Sequence, residues 1–241
     1  MALVSIIIPT LNEEKGIENT IKMIPFDNII KNGYEIELIV VDGNSEDNTV
    51  EFARRNGAKI ILEKRRGYGR AYKTGFLKSK GDIIITMDAD GTYPANKIPE
   101  YLLQFEKMKI DFMTINRFSN MEKGSMNLLH KIGNKVLSFI LRMLYSIKIK
   151  DSQSGMWIMR KSFIDSIMLQ SDGMPLSQEI KIIAFKYFNS IEIDGTYNKR
   201  LGDAKMSLVK DGFSNLFDLF KFKKKLSLCI IQNNNKSKMF T

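Results

Sequence analysis

Two carboxylates one residue apart, Asp88 and Asp90, follow a run of apolar, strand-forming residues at 83–87. Along a strand, residues i and i+2 point to the same side, so both acids can face one spot at the strand's carboxyl end. Close carboxylates raise each other's pKa unless a cation sits between them. Oxygen-only ligands suit Mg²⁺ or Mn²⁺, and magnesium usually completes its shell with substrate phosphates and water. Gly91 and Pro94 then turn the chain. The chemistry on offer is metal assistance to a reaction on a phosphorylated substrate, although the same residues also make an ordinary acidic turn.

A second stretch, KRRGYGRAYKTG at 64–75, sets three adjacent cations before Gly67 and Gly69 at the start of a helical segment. Backbone N–H donors, a helix dipole and fixed positive charge together make a phosphate-binding design. A solvated basic turn fits the same residues, and the Walker spacing of a P-loop is absent. After the first strand comes PTLNEE at 9–14, which is not a G-x-G-x-x-G dinucleotide loop. Pro9 and Thr10 end that strand, and Asn12 and Glu13 stand where a base or ribose could be read. Asn12 would equally serve as a helix N-cap with acids in the first turn. The second strand ends in Asp42, followed by Gly43, where a nucleoside could be bound; Ser45 or Asp47 can cap the next helix.

Composition narrows the classes. A chain of 241 residues with 44% hydrophobic content supports a full core. A single cysteine, Cys229, excludes an internal disulfide, and a single histidine, His130, argues against a histidine-rich metal site or a Ser-His-Asp triad. No cleavable signal is expected, and no apolar run reaches the roughly 18–20 residues that span a bilayer. Charge is uneven: residues 1–120 hold 17 Lys+Arg and 17 Asp+Glu, leaving 20 basic and 10 acidic residues for 121–241. The whole excess lies in the second half, which is expected to meet an anionic partner. No nucleic-acid motif accompanies it.

The elements that must position these residues alternate through the first half. Strand-like runs at 4–8, 36–41, 59–62, 83–87 and 111–115 are separated by helical segments at 14–24, 47–56, 71–79 and 96–108. Strands nearly continuous in Ile, Val and Leu belong to a parallel sheet covered on both faces. Ligands of such sheets bind beyond the strands' carboxyl ends, where all the residues above stand. A loop at 118–125, a helix over 126–146, a polar turn at 151–155, a strand at 156–159, a helix at 177–188 and a strand at 191–197 follow. Phe213, Leu216, Phe217 and Phe220 then form an apolar helical stripe leading into Lys221, Lys223, Lys224 and Lys225.

SIIIPTLNEE, VVDGNS, KRRGYGRAYKTG and MDADGTYP, in this order, resemble the family 2 glycosyltransferases of GT-A fold, with residues 88–90 in the place of their DxD motif. NRF at 116–118, MEKGSM at 121–126, HKIGNK at 130–135, DSQSG at 151–155, Gln178 with Glu179, and YNKRLGDAK at 197–205 are similar to polyprenyl- and dolichyl-phosphate sugar synthases, above all the archaeal enzymes that place the first sugar of an N-glycan. The resemblance covers residues 3–225. It implies an α/β GT-A nucleotide-sugar-binding fold, a mostly parallel sheet sandwiched by helices. Residues 1–205 would form the catalytic domain (1–117 the nucleotide-sugar half, 118–205 the acceptor half), 206–232 an amphipathic, membrane-interface helix and 233–241 a disordered tail.

It also implies roles. Pro9, Asn12, Glu13, Asp42, Arg65, Gly67, Gly69, Asp88, Ala89 and Asp90 would hold the nucleotide-sugar, with Asp88 and Asp90 on Mg²⁺ or Mn²⁺. Arg117, Lys131, Arg200 and Lys205 would clamp the acceptor phosphate, and Asp88, Asp90, Arg117 and Arg200 would be the catalytic set. Ser154, Gln178 and Glu179 complete the candidates. A phosphate monoester, second pKa about 6, needs no general base, whereas a sugar-hydroxyl acceptor would, and Glu179 is the candidate for it. A non-catalytic nucleotide-sugar-binding regulator is the remaining alternative. Lys131 stands where related mannosyl enzymes carry arginine, Thr92 where some relatives carry a glutamine, and VDGNS replaces the common VDDGS. The implied reaction is inverting transfer of a hexose to dolichyl or polyprenyl phosphate. UDP-glucose or UDP-N-acetylglucosamine leads as donor, then GDP-mannose. The chain would sit peripherally on the cytoplasmic face of a membrane.

Overall fold

A computed structural model describes residues 1–202 and 208–226. Seven strands form one sheet: β1 (Ala2–Thr10), β2 (Tyr34–Asp42), β3 (Lys59–Leu62), β4 (Ile83–Thr86), β5 (Phe112–Met121), β6 (Trp157–Arg160) and β7 (Ser190–Tyr197). Their spatial order is β3-β2-β1-β4-β6-β5-β7. All pairings are parallel except those of β6, which runs antiparallel between β4 and β5. Among the described residues the helices are α1 (Glu14–Lys22), α2 (Phe26–Lys31), α3 (Thr49–Arg55), α4 (Tyr68–Lys78), α5 (Ile98–Met108), α6 (Leu128–Tyr145), α7 (Lys161–Asp165), α8 (Leu176–Tyr187) and α9 (Leu208–Lys225).

The period of two along a strand sorts the core into two layers. Val4, Ile6 and Ile8 of β1 pack on one face with Leu102 and Phe105 of α5. Ile7 points to the other, among Tyr72 and Phe76 of α4, Leu141 of α6 and Ile180 of α8. In-register parallel pairing runs from Ala2↔Tyr34 to Thr10↔Asp42 and from Val4↔Ile83 to Ile7↔Thr86. The carboxyl ends of β1, β2 and β4 therefore open along one crevice, at the point where the strand order reverses.

The alternation expected in the first half is present, with differences that have local causes. Residues 118–121 extend β5 rather than opening a loop, because Asn120 and Met121 regain pairing with Thr196 and Tyr197 of β7 after an irregularity. Helices α2 and α7, only 6 and 5 residues long, are too short to show a helical period. In α9 Phe217 and Phe220 of the apolar stripe are exposed and Leu216 is partly buried, while Asn215, Leu219 and Phe222, with Leu226 just beyond the helix, face the core. Hydrogen bonds select this face: Tyr145 Oη donates to the Leu219 carbonyl at 2.5 Å and Asn215 Nδ2 to Gln153 Oε1 at 3.2 Å. The proposed tail at 233–241 and Lys205 lie outside the described residues.

Candidate active site

At the end of β4 the two acids meet unlike surroundings. Asp88 Oδ1 lies 3.3 Å from the Tyr72 hydroxyl and 3.5 Å from that of Tyr68. Loss of surrounding water, first, and the charge of Asp90, second, raise the Asp88 pKa to about 7. Buried Asp90 accepts hydrogen bonds at Oδ1 from the backbone and hydroxyl of Thr92, at 3.1 and 2.6 Å. Its Oδ2 meets Arg200 at 2.5 Å, and the same guanidinium pairs with Glu13. Arg200 is placed there because Asn198 and Leu201 donate backbone hydrogen bonds to the carbonyls of Thr92 and Asp90, at 2.9 Å each.

Among the described residues no group of three or more His, Cys, Asp and Glu side chains could hold a metal. Asp88 and Asp90 could therefore supply two carboxylates, leaving most of a divalent cation's shell to ligand phosphates and water. The donor set fits: burial first and the Asp90 carboxylate second force Asp88 toward its neutral form, the condition a cation between the two acids relieves. Thr92, already bound to Asp90, stands beside them.

Asp42 closes β2 with both oxygens occupied. Asn44 N and Ser45 N donate to Oδ2 at 3.0 Å each, and Ser45 Oγ to Oδ1 at 2.5 Å. Asn12 adopts φ 51° and accepts from Glu46 N at 2.8 Å, so it does not cap α1 as the sequence suggested. The start of α1 is bound from across the crevice instead, Glu13 N donating to Thr49 Oγ1 (2.7 Å) and Glu14 N to Asp47 Oδ2 (3.2 Å). Pro9 pairs with Val41 inside β1. The ends of β1 and β2 are laced together, and α1 meets residues 88–90 through Gly16, packed on the Ala89 carbonyl, and through Glu13, joined to Asp90 by Arg200.

Cations of the basic loop pair with carboxylates of its own and a neighbouring segment. Arg65 turns back on Glu63, at 2.8 and 2.6 Å, holding that carboxylate well below the usual range. Arg70 and Lys73 both pair with Asp172. A Cβ on Gly67, where φ is 139°, would stand 2.2 Å from the Asp172 carbonyl oxygen, and one on Gly69 would stand 2.6 Å from that of Ser171. Both glycines thus admit the 171–173 segment. Lys64 and Arg66 are exposed.

On the acceptor side Arg117 is buried and bidentate to Asp151, at 2.7 and 2.9 Å, and its guanidinium stacks 5.2 Å from the Tyr197 ring centre. Burial opposes the Asp151 charge, but Arg117 outweighs it and keeps its pKa low. Lys181, fully buried on α8, donates to the Asp151 carbonyl at 2.8 Å. The 151–155 turn ends against Asp88: a Cβ on Gly155 would stand 2.3 Å from the Tyr68 hydroxyl and 3.3 Å from Asp88 Oδ1. Lys131 lies on α6, half-buried. Ser154 Oγ and both amide atoms of Gln178 are buried without a hydrogen-bond partner. Glu179 is consumed structurally, accepting from Gln170 N at 2.6 Å and Ser171 N at 2.8 Å.

Sequence reasoning passed over Tyr68, Tyr72 and Tyr93. Tyr93 Oη accepts from Gly155 N at 2.6 Å, and burial holds all three phenols protonated. Their helical and turn positions give no signal of a site until β4 and the 151–155 turn converge. His130 was also missed: its Nε2 is buried without a partner, and its pKa is lowered by burial and then by Arg117.

The family model "Glycosyl transferase family 2" matches residues 5–168. The chain is 31% identical to the low-salt glycan biosynthesis hexosyltransferase Agl6 of Haloferax volcanii, over 88% of this chain but 52% of that protein, about half its length. It is 29% identical to the same organism's dolichyl-phosphate hexose transferase, over 84% of this chain and 86% of the relative. Among solved structures, Mycobacterium tuberculosis glucosyl-3-phosphoglycerate synthase, crystallised with Mn²⁺, UDP and glucosyl-3-phosphoglycerate, superposes with TM-score 0.69 at 19% identity, covering 90% of this chain and 80% of that one. That likeness establishes the GT-A fold.

Proposed function

Because the chain belongs to glycosyl transferase family 2, we propose that it transfers a hexose, with inversion, from a nucleotide-sugar to dolichyl or polyprenyl phosphate. The observation that carries the acceptor reading is the state of Glu179. Both its oxygens accept backbone N–H groups, which tie it to the 170–171 segment and count against it as the base a sugar hydroxyl would need. Cations stand beside the paired acids instead: Arg117 and Arg200, with Lys131 on α6. An anionic phosphate brought to an anionic sugar diphosphate needs such cations and no base.

Asp88 and Asp90 would hold Mg²⁺ or Mn²⁺, which supplies Lewis-acid neutralisation of the departing diphosphate. Asp42, Asn12, Glu13 and Pro9 frame the nucleoside end of the rim, and Ser154 and Gln178 offer unpaired donors and acceptors to the donor's hydroxyls. Arg117, fixed by Asp151, orients the acceptor phosphate for attack from the face opposite the leaving group. A UDP-sugar is favoured, glucose or N-acetylglucosamine, in keeping with the UDP bound by the structural neighbour; GDP-mannose is next. The chain would work peripherally at the cytoplasmic face; no described helix is long and apolar enough to cross a membrane.

The test is purified protein with Mn²⁺ or Mg²⁺, dolichyl phosphate and a panel of UDP- and GDP-sugars. Metal-dependent formation of a lipid-linked hexose is the expected result, with Glu179→Gln retaining transfer within about twofold. Transfer only to sugar hydroxyls, or tight donor binding without turnover, would overturn the assignment.

A further inference from the structure

Helix α6 buries Leu137, Leu141 and Tyr145 against the core, yet it carries a second apolar face. Leu128, Leu129, Ile132, Val136, Phe139 and Met143 are 50–72% exposed. At 3.6 residues per turn they share one strip of roughly 100° of arc, and Lys131, Lys135 and Arg142 occupy the strip beside it. No acidic residue occurs anywhere on this 18-residue helix. A water-facing helix ordinarily mixes both charge signs, and contiguous exposed apolar residues mark an interaction surface.

The basic edge opens into a pocket of about 460 Å³ lined by Lys135, Arg142 and Lys150 with Asn116, Ser119 and Asp194. Asp194 lies 3.7 Å from Lys150 and accepts from Asn116 Nδ2 at 2.8 Å, so three cations face one carboxylate. Helix α9, packed beside α6 through Tyr145 and Phe222, adds exposed Phe217, Phe220, Lys221, Lys223 and Lys224. Apolar strip, cationic edge and an anion-sized recess are together complementary to an anionic lipid bilayer, where an amphipathic helix lies in the headgroup boundary. A second copy of the chain would have to bring a like basic edge against this one.

We propose that the outward face of α6 docks on an anionic bilayer, with Val136, Phe139 and Met143 entering the headgroup–acyl boundary and a lipid phosphate seated between Lys135, Arg142 and Lys150. This deepens the membrane part of the reading above but needs neither a sugar donor nor a polyprenyl phosphate, so the two fail separately.

The experiment is co-sedimentation of the full chain with phosphatidylglycerol/phosphatidylcholine vesicles and with phosphatidylcholine alone, both free of polyprenol. Wild type should partition more strongly to the anionic vesicles. Val136→Ser/Phe139→Ser/Met143→Ser should weaken that partition at least about tenfold, and Lys135→Glu/Arg142→Glu should remove the preference for anionic lipid. Leu77→Ser, an exposed apolar residue on α4, should bind as wild type. Circular dichroism and thermal melting monitor folding of each variant. Wild-type binding by the α6 variants would overturn the proposal, as would equal binding of both vesicle types. A concentration-dependent dimer that the triple variant dissociates, without any change in vesicle binding, would assign the face to a second copy.

Discussion

Arg117 and Arg200 each pair with an aspartate beside the same strand ends, but they do so in different media. Arg117 and Asp151 are 8% and 0% exposed at their side chains, whereas Arg200 retains 27% against Asp90. The buried pair is surrounded by further fixed partners: Lys181 on the Asp151 carbonyl, and Glu192 on the backbone N–H of Asp151 and Lys150. The rim pair has one guanidinium shared between Asp90 and Glu13. A dehydrated pair with satisfied neighbours has no cheaper arrangement to go to. A rim pair in contact with water can exchange one cation for another. Arg117 is therefore held as scaffold at the position proposed for the acceptor clamp, while Arg200 occupies the position that a divalent cation on Asp90 would contest.

Removing the contested carboxylate should have the largest effect. Asp90→Ala deletes one of the two carboxylates proposed for the metal and one of the two that hold Arg200 at once. Metal-dependent transfer is expected to fall by about a thousandfold or more, the scale of losing a transition-state charge stabiliser. Retained activity would end the proposed metal role of the pair.

Breaking the buried pair should act on stability first. Asp151→Ala leaves the Arg117 guanidinium buried without its carboxylate, for which the expected loss is about 3–5 kcal/mol in urea unfolding. Asp151→Asn keeps hydrogen-bond acceptance and should lose less. A loss below 1 kcal/mol for the alanine variant would erase the contrast between the two pairs.

How these pairs came to be legible differs as well. The strands, their parallel order near Asp88 and Asp90, and the rim residues stood in the sequence because apolar runs ending in polar residues are local signals. Arg117, Arg200 and Glu179 were named only through resemblance, and nothing local foretold their partners, which are 34, 110 and 8–9 residues away. The glycines of the basic loop were read as phosphate-binding; the structure also brings residues 171–173 close against them, a tertiary contact invisible to a local reading. The inward face of α9 was illegible for a related reason. Several faces of that helix carry apolar residues, and the choice between them was made by Tyr145 and Gln153 on other segments.

The pH dependence of metal binding sharpens the comparison at the other acid. Asp88 has a raised pKa of about 7, so without metal its proton is held more tightly in the folded state than in the unfolded chain. The sign follows: this contribution favours the metal-free fold at low pH and is lost as pH rises from the unfolded carboxylate value toward 7. Metal must displace that proton. Mn²⁺ affinity measured calorimetrically should rise by up to about tenfold per pH unit below 7 and level off above it. Asp88→Asn should bind weakly with a flat profile between pH 5.5 and 7.5; a wild-type slope in that variant would assign the proton elsewhere.

The smallest expected effect concerns Arg200 itself, and it separates a competitor of the metal from a structural support. If the guanidinium must leave Asp90 before a cation binds, removing it should help the metal while harming catalysis. Arg200→Ala should bind Mn²⁺ a few-fold more tightly, because the competing ion pair at a partly wet rim is worth only about 1 kcal/mol. Its thermal stability should change little, and transfer should fall through acceptor use, since the released cation is the one proposed to meet the acceptor phosphate. Arg200→Lys should restore part of the competition with Mn²⁺ but less of the transfer, because a point charge cannot bridge Glu13 and Asp90 as a planar fork does. Weaker Mn²⁺ binding in Arg200→Ala would instead make the arginine a support of the site, and the two pairs would then differ in burial but not in kind.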